Sequence, residues 1–221
     1  MSQSKSSLTR MEEELVNLSE LIAKMSSLVE HHLTISLDAF VNFDASKPPL
    51  VIDDNPINAL EREIETICIN FLVRERPYAR DLRFVGGILQ VVSDLERLGD
   101  HAEDIAYVSR QMKTKERHNI PALNEMIAIA MEMVRDAIDS LIRKDQQLAE
   151  DVIKRDDIVD RMFQELLDYL IEENDNETYS SNFTIYATLI VKYIERIADH
   201  AVNAAEWAVY IISGFHKDKQ I

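Results

Sequence analysis

The sequence predicts an all-α fold of six helices, arranged as two repeated antiparallel three-helix bundles. Apolar residues recur at the spacing of amphipathic helices along most of the chain. The chain has only 4 Gly and 5 Pro while 46% of its residues are hydrophobic, which leaves few helix breaks and ample material for a core. A stretch at residues 96–106, ERLGDHAEDIA, also recurs at residues 195–205 as ERIADHAVNAA. Six of these eleven aligned positions are identical, which indicates a duplicated unit.

Three helices are predicted in the first half, over residues 8–43, 54–74 and 78–112. The first ends before Pro48, because a residue that precedes proline is disfavoured in the α conformation. Asp54 can cap the second helix, and Pro56 then lies in its first turn, where the missing N–H costs little. A turn at Pro77 separates the second helix from the third.

Two adjacent glycines, Gly86 and Gly87, lie in the middle of the predicted third helix. Glycine in a helix interior costs about 1 kcal/mol relative to alanine. The pair therefore predicts either a close approach of another helix or a kink.

The second half repeats this arrangement after a basic, polar connector at residues 113–119, where we place the unit boundary. The two predicted units are residues 8–112 and 120–213. Apolar residues from Met126 to Leu148 predict a fourth helix, and helices over residues 156–173 and 182–213 follow. Because the loops are short, neighbouring helices are expected to be antiparallel.

A net charge of −16 restricts the possible partners. Nucleic acid and anionic membrane surfaces would repel such a chain, whereas metal cations and basic protein surfaces would attract it. No apolar run is long enough to span a bilayer and no signal peptide is evident, so we expect no membrane insertion and a cytoplasmic location. The single cysteine, Cys68, excludes an internal disulfide and suits a buried apolar position.

Each copy of the repeat carries a Glu and an Asp four positions apart, which lie on the same helix face. A second pair lies on the preceding helix, about as far before the hairpin turn as the first pair lies after it. In two antiparallel helices, residues at equal distances from the turn lie opposite each other. The predicted sets are Asp54, Asn58, Glu96 and Asp100 in the first half, and Asp156, Asp160, Glu195 and Asp199 in the second.

Converging carboxylate and amide oxygens predict a metal site in each half. Like charges four positions apart destabilise a helix by about 0.2 to 0.5 kcal/mol per pair, so they need water or a cation. No lysine is expected near these oxygens, and hard cations such as Mg²⁺, Mn²⁺, Ca²⁺ or iron take ligands of this kind. A solvated acidic face is the alternative.

The histidines that follow the acidic pairs, His101 and His200, point off the acidic row. We therefore expect them to be buried or to form hydrogen bonds between helices instead of binding metal. Arg97 and Arg196 are expected to pair with acids of a neighbouring helix.

At residues 94–102 (DLERLGDHA) and 194–201 (IERIADHA), with support from residues 60–65 and 80–83, the chain resembles the PhoU family of phosphate-transport and phosphate-signalling regulators. The resemblance extends from about residue 11 to residue 211 and implies two repeated three-helix bundles. It also implies metal binding by the two acidic sets, with Mg, Mn, Fe or Zn as candidates. Asn58 departs from the acidic pattern of the family, so the second set is the better candidate.

The resemblance implies a negative regulator that relays the state of a phosphate ABC transporter to a membrane sensor kinase. Two alternatives remain: a metal-free helical scaffold, and an accessory regulator of a secondary phosphate carrier. An enzyme is disfavoured, because the chain has no Glu-x-x-His motif of di-iron bundles, no phosphate-binding glycine loop and no nucleophile elbow. Apolar residues near the end of the last helix, Trp207, Tyr210 and Ile211, predict a homodimer surface.

Overall fold

The computed structural model describes residues 10–44, 46–75, 77–112, 117–216 and 219–220. Its six helices are α1 (Arg10–Val41), α2 (Asn55–Glu75), α3 (Ala79–Gln111), α4 (Pro121–Arg143), α5 (Gln146–Asp175) and α6 (Ser181–Ser213). A small antiparallel ladder follows, in which β1 (Phe215–His216) pairs with β2 (Lys219–Gln220). The predicted all-α class is confirmed, since two strands of two residues do not change it.

The break between the fourth and fifth helices was wrongly predicted. The structure ends α4 at Arg143, and Lys144 adopts a left-handed conformation with φ of 56°. Asp145 then caps α5, where its carboxylate accepts a hydrogen bond from the amide of Leu148 at 3.1 Å. Leu148 therefore belongs to α5, which begins ten residues before the predicted start at Asp156. The signal was hidden because a lysine stands where glycine usually ends a helix.

The helices form two three-helix bundles, α1 to α3 and α4 to α6, which pack against each other through α3 and α6. Each of these two helices is also in contact with both other helices of its own bundle. One hydrophobic cluster extends through all six helices. The predicted units each contain one bundle, although residues 8, 9 and 113–116 of those predictions lie outside the described residues.

Small residues line the contact between α3 and α6, which we call the seam. Buried alanines occur on both helices, with Ala198, Ala201, Ala205 and Ala208 on α6 and Ala102 on α3, whereas Gly99 of α3 faces Ile57 of α2. At Gly87 an added methyl group would overlap the Ile211 side chain, with the Cδ1 atom 2.7 Å away. The predicted close approach is confirmed at Gly87, whereas a methyl group at Gly86 would meet nothing within 4 Å.

Contacts within the chain use part of the apolar surface at the end of α6 that predicts a homodimer. The Trp207 ring stacks on His216, with centroids 4.1 Å apart, and it also makes an edge contact with Tyr210. Ile211 is only 7% exposed. Ile211 packs against Gly87 of α3, whereas Trp207 and Tyr210 stay half-buried, so the homodimer surface remains a prediction.

Arg117 joins the carboxyl ends of two helices in the first bundle. Its guanidinium donates to the carbonyl of Phe40 at 3.0 Å, near the end of α1, and to that of Ser109, near the end of α3. It also lies 3.7 Å from the centroid of the Phe43 ring. Burial lowers the pKa of Arg117 to about 10, but the negative ends of two helix dipoles favour its charge.

The two glycines predict opposite effects of one substitution. Gly86→Ala should stabilise the protein by about 1 kcal/mol, because it removes the helix cost of glycine in open space. Gly87→Ala should be less stable than Gly86→Ala by about 1 to 3 kcal/mol, because its methyl group overpacks the seam. Chemical denaturation of both variants measures the difference. Equal stabilities would contradict the close approach.

Candidate metal centres

The second acidic set is brought together between α5 and α6. Asp156 and Asp160 lie one turn apart on α5, while Glu195 and Asp199 lie one turn apart on α6. Burial, together with the charges of the other three carboxylates and of Asp157, raises the pKa of Asp156 to about 6. Burial and the charge of Glu195 also raise the pKa of Asp199. These mutual effects indicate that the carboxylates of α5 and α6 lie near one another.

One carboxylate oxygen of Asp156 lacks a hydrogen-bond partner. Its Oδ1 atom is buried and has no hydrogen-bond partner. A buried carboxylate oxygen without a partner is costly, and a cation or an added proton would reduce that cost.

A lysine stands beside the second set, contrary to the expectation from the sequence. Lys192 Nζ lies 2.6 Å from Glu195 Oε2, one turn earlier on α6. The Lys192 charge also lowers the pKa of Asp199, against the larger effect of burial. This ion pair offsets part of the repulsion without a metal ion.

The first acidic set lies between the start of α2 and the middle of α3, on facing helices. Burial raises the pKa of Glu96, and the charges of Asp100 and Asp54 raise it further. Asn58 donates from Nδ2 to Asp54 Oδ2 at 2.9 Å. The Asn58 Oδ1 atom is buried without a hydrogen-bond partner, so it could act as a neutral oxygen ligand.

Arg97 forms its ion pairs within its own helix, and its charge also lowers the pKa of Glu61 on the neighbouring helix α2, as predicted. Its guanidinium lies 3.0 Å from Asp100 Oδ2 and 3.5 Å from Glu96 Oε2. The side chain is long enough to fold back along the helix, where both acids are in reach. It is 58% exposed, so this pairing contributes little to stability.

Sequence reasoning missed further acids around the first set. Burial raises the pKa of Glu61, and the charge of Glu96 raises it further, which places these two carboxylates near each other. Glu103 is similarly affected by Asp54. Glu61 lies one turn after Asn58 on α2, so extending the acidic row by one turn would have found it.

The donor chemistry of both sets suits a hard cation, although their side chains are not gathered around one point. Within the described ranges, no group of three or more His, Cys, Asp or Glu side chains is placed to hold a metal ion. The donors are all oxygen atoms, and the two orphaned oxygens on Asp156 and Asn58 belong to the predicted sets. The oxygen donors of both sets therefore suit a hard cation by their chemistry, and metal binding remains a prediction.

The histidines lie in the seam, as predicted. Asp94 Oδ1 on α3 accepts a hydrogen bond from His200 Nδ1 on α6 at 2.9 Å, and Asn203 Nδ2 lies 3.5 Å from the same oxygen. Because Asp94 aligns with Tyr193 in the repeat, the corresponding contact on the other side is between Tyr193 and His101, whose ring centroids are 5.6 Å apart. The seam thus has an approximate two-fold symmetry.

His101 is held neutral. Both of its ring nitrogens are buried without a hydrogen-bond partner, and its ring lies 5.5 Å from that of His200. Burial lowers the pKa of His101 to about 4, helped by the charges of His200 and Arg196. A packing role is therefore supported for His101, and a helix-to-helix hydrogen bond for His200.

The raised pKa of Asp156 predicts a stability change with pH in protein kept free of divalent cations by EDTA. The folded chain keeps this proton between about pH 4 and pH 6, where the unfolded chain loses it, so stability falls as pH rises through that range. Asp156→Asn should therefore gain about 1 kcal/mol at pH 7.5, after allowance for solvent screening, and almost nothing at pH 4.

Thermal unfolding at both pH values measures this gain. Asp168→Asn, at an exposed position of the same helix, is the control and should gain at neither pH. An Asp156→Asn gain that is equal at pH 4 and pH 7.5 would contradict the repulsion inferred for the second set.

Two matches to the PhoU domain cover residues 22–108 and 123–208, one in each bundle. The phosphate-specific transport system accessory protein PhoU homolog of Aquifex aeolicus is 36% identical over 210 residues, which are 91% of this chain and 92% of that protein. The protein of the same name from Clostridium acetobutylicum is 31% identical over 214 residues, 94% of this chain and 96% of that protein.

Solved structures show the same architecture. The crystal structure of PhoU from Pseudomonas aeruginosa superimposes with a TM-score of 0.86 at 27% identity, over 93% of this chain and 100% of that one. The phosphate transport system regulatory protein PhoU from Streptococcus pneumoniae gives a TM-score of 0.83 at 25% identity, over 95% of this chain and 100% of that one. In the part of the chain that the structure describes, no helix is long and apolar enough to cross a membrane. On the strength of both domain matches and these relatives, the chain belongs to the PhoU family.

Proposed function

We propose that this chain is an accessory regulator of a phosphate transport system, and that it lowers phosphate uptake and the phosphate-starvation response when phosphate is plentiful. Two PhoU domains over most of the chain carry this proposal, because relatives that match almost the full length are named as accessory proteins of phosphate-specific transport. The proposed partners are a phosphate ABC transporter and a membrane sensor kinase. The protein would act in the cytoplasm, through protein contacts and without a catalytic step.

The second acidic set is the proposed metal site, held by Asp156, Asp160, Glu195 and Asp199. A bound Mg, Mn, Fe or Zn ion would supply positive charge for these oxygens. The four carboxylates of α5 and α6 would then turn toward the ion. Glu195 would give up its ion pair with Lys192 to do so. The first set, Asp54, Asn58, Glu96 and Asp100, is proposed as a weaker site, because Asn58 removes one charge.

The position of the second set suggests how metal binding there could change the surface that a partner contacts. α6 carries Glu195 and Asp199 and also packs against α3 along the seam. His200 follows Asp199 directly and is hydrogen bonded to Asp94 of the other bundle. A shift of α6 that accompanies convergence of the acids would therefore alter how the two bundles meet. Basic surfaces on the partners would suit a chain of charge −16.

A metal-free helical scaffold is the second candidate. The ion pairs of Lys192 with Glu195 and of Arg97 with Asp100 favour it, because they neutralise part of both acidic sets without a metal ion. Elemental analysis of the purified protein separates this candidate from the metal-binding regulator. A homodimer is proposed in either case.

Manganese binding tests the second set. Isothermal titration with Mn²⁺ should show binding to the wild type, and a loss of about 100-fold or more in affinity when Glu195→Ala is combined with Asp199→Ala. Asp168→Ala with Glu172→Ala is the matched control, because it removes an exposed acidic pair of the same spacing from α5. Equal Mn²⁺ affinity in all three proteins would contradict the proposed metal site.

A deletion strain tests the regulatory role. Loss of the protein should leave phosphate uptake and a starvation-responsive reporter active in phosphate-rich medium, and restoring the gene should repress both. Repression that persists without the protein would refute the negative role. Pull-down from membranes identifies the transporter, and recovery of a secondary carrier in place of an ABC transporter would reassign the partner.

A further inference from the structure

Exposed apolar side chains are grouped at the turn between α2 and α3. Val73 lies in the last turn of α2 and is 73% exposed, while Tyr78 and Leu82 lie at the start of α3 and are 89% and 51% exposed. The Leu82 amide donates to the Tyr78 carbonyl at 3.0 Å, so these two residues lie one helical turn apart on the same side. Large apolar side chains that are exposed together mark a surface that meets a partner.

Arginines accompany these apolar side chains. Residues 69–84, which we call the basic tip, contain four arginines and two acids. Arg74 and Arg80 are exposed, and among the described residues neither forms an ion pair. One of the two acids, Glu75, already interacts within the chain. The basic tip therefore has positive charge available to a partner, although the whole chain has a charge of −16.

The corresponding residues of the second bundle have the opposite charge. Residues 168–183, which we call the acidic tip, contain five acids and no basic residue. This tip also exposes apolar side chains, such as that of Ile171. Because Gly87 near the start of α3 meets Ile211 near the end of α6, the two helices run antiparallel and the two tips lie at opposite ends of the molecule. Exposed apolar side chains are thus combined with positive charge at one end only.

The acidic sets are too far from the basic tip to cancel its charge. Glu96 lies 17 residues beyond the start of α3, which is about 25 Å at the helical rise of about 1.5 Å per residue. At physiological ionic strength, interactions between exposed charges are screened beyond about 8 Å. Glu12 of α1 lies nearer, since it lines a groove together with Arg80, but it already interacts within the chain. The overall negative charge therefore does not decide what the basic tip binds.

We propose that the basic tip docks on the surface of an anionic lipid bilayer. Val73, Tyr78 and Leu82 would lie among the lipid headgroups, where apolar side chains leave water and tyrosine is favoured. Arg74 and Arg80 would pair with lipid phosphates. The turn between α2 and α3 would then rest against the membrane, with the acidic tip away from it. This docking would hold the chain beside the membrane proteins of the proposed function, but it requires neither those proteins nor a metal ion.

A bilayer suits the basic tip better than an acidic protein surface does. The exposed side chains protrude at the end of a helical hairpin, so the surface is convex. A protein partner would need a matching cavity that is both apolar and acidic, and burial of carboxylates among apolar side chains is costly. A fluid bilayer needs no preformed cavity, and its phosphates lie beside its acyl chains without being buried.

Vesicle sedimentation tests the arginines of the basic tip. In EDTA and low salt, the wild type should bind vesicles of mixed phosphatidylcholine and phosphatidylglycerol, and should bind phosphatidylcholine alone about tenfold or more weakly. Arg74→Gln combined with Arg80→Gln should weaken binding to the mixed vesicles about 25-fold, because each arginine near an anionic surface contributes about fivefold. Arg62→Gln combined with Arg161→Gln is the matched control, since it removes two exposed arginines away from the tip and should bind as the wild type does.

A second pair of variants tests the apolar side chains. Val73→Ser combined with Tyr78→Ser should weaken binding to the mixed vesicles about tenfold, because less apolar surface then leaves water. Ile171→Ser combined with Ile185→Ser removes two exposed apolar side chains at the other end of the molecule and should change nothing. Circular dichroism checks that each variant is folded.

A tryptophan probe locates the contact without removing any of these groups. The fluorescence of Tyr78→Trp should be quenched by brominated lipid in the mixed vesicles, whereas that of Ile185→Trp should not. Trp207 is the one tryptophan of the wild type and is present in both variants, so the difference between them reports the added side chain. If a serine or glutamine variant does not fold, this comparison decides.

Three results would overturn the proposal. The first is a wild type that does not bind the mixed vesicles at micromolar concentration in low salt. The second is binding that both tip variants retain, with no quenching of Tyr78→Trp. The third is retention only by membranes that contain the transporter, lost in the tip variants, which would make the tip a protein contact. Because the vesicles contain no protein, their result is independent of the regulatory role tested in the deletion strain.

Discussion

The close approach of α3 and α6 is the constraint on which both bundles depend. Each of these helices contacts both other helices of its own bundle, and among the described residues their mutual contact is far more extensive than the second contact between the bundles, which α1 and α4 make. At Gly87 the two helices come so close that any side chain there would collide with Ile211. As a result the apolar residues of both halves merge into one cluster, which buries more surface than two separate halves could.

The seam helices α3 and α6 also position the two acidic sets. Glu96 with Asp100, and Glu195 with Asp199, lie on the same two helices that meet there, while their opposing residues lie on α2 and α5. Between the two sets stands the hydrogen bond from His200 to Asp94, with the neutral His101 beside it. A polar pair of this kind fixes the register of two helices that small apolar residues alone would allow to slide. The geometry of each acidic set is therefore tied to that of the other.

Periodicity and hairpin symmetry were enough to predict much of this arrangement. The bounds of α2, α3 and α6 agree with the predictions to within one residue, and the acids expected to face each other do interact. Sequence spacing could not reveal the left-handed Lys144, since that residue carries no local signal for it. Nor could it reveal the ion pair of Lys192 with Glu195 or the burial of Ile211, because rotamers and tertiary packing decide both.

The unequal contacts on the two sides of the seam record the history of a duplicated chain. In a protein built from one such repeat, pairing with itself would make the two-fold axis exact, and Asp94 and Tyr193 would have to be the same residue. Joining two repeats in one chain released that requirement. Here one side holds a hydrogen bond and the other an aromatic contact with His101. The contact across the seam is therefore directional, and the two halves are not interchangeable.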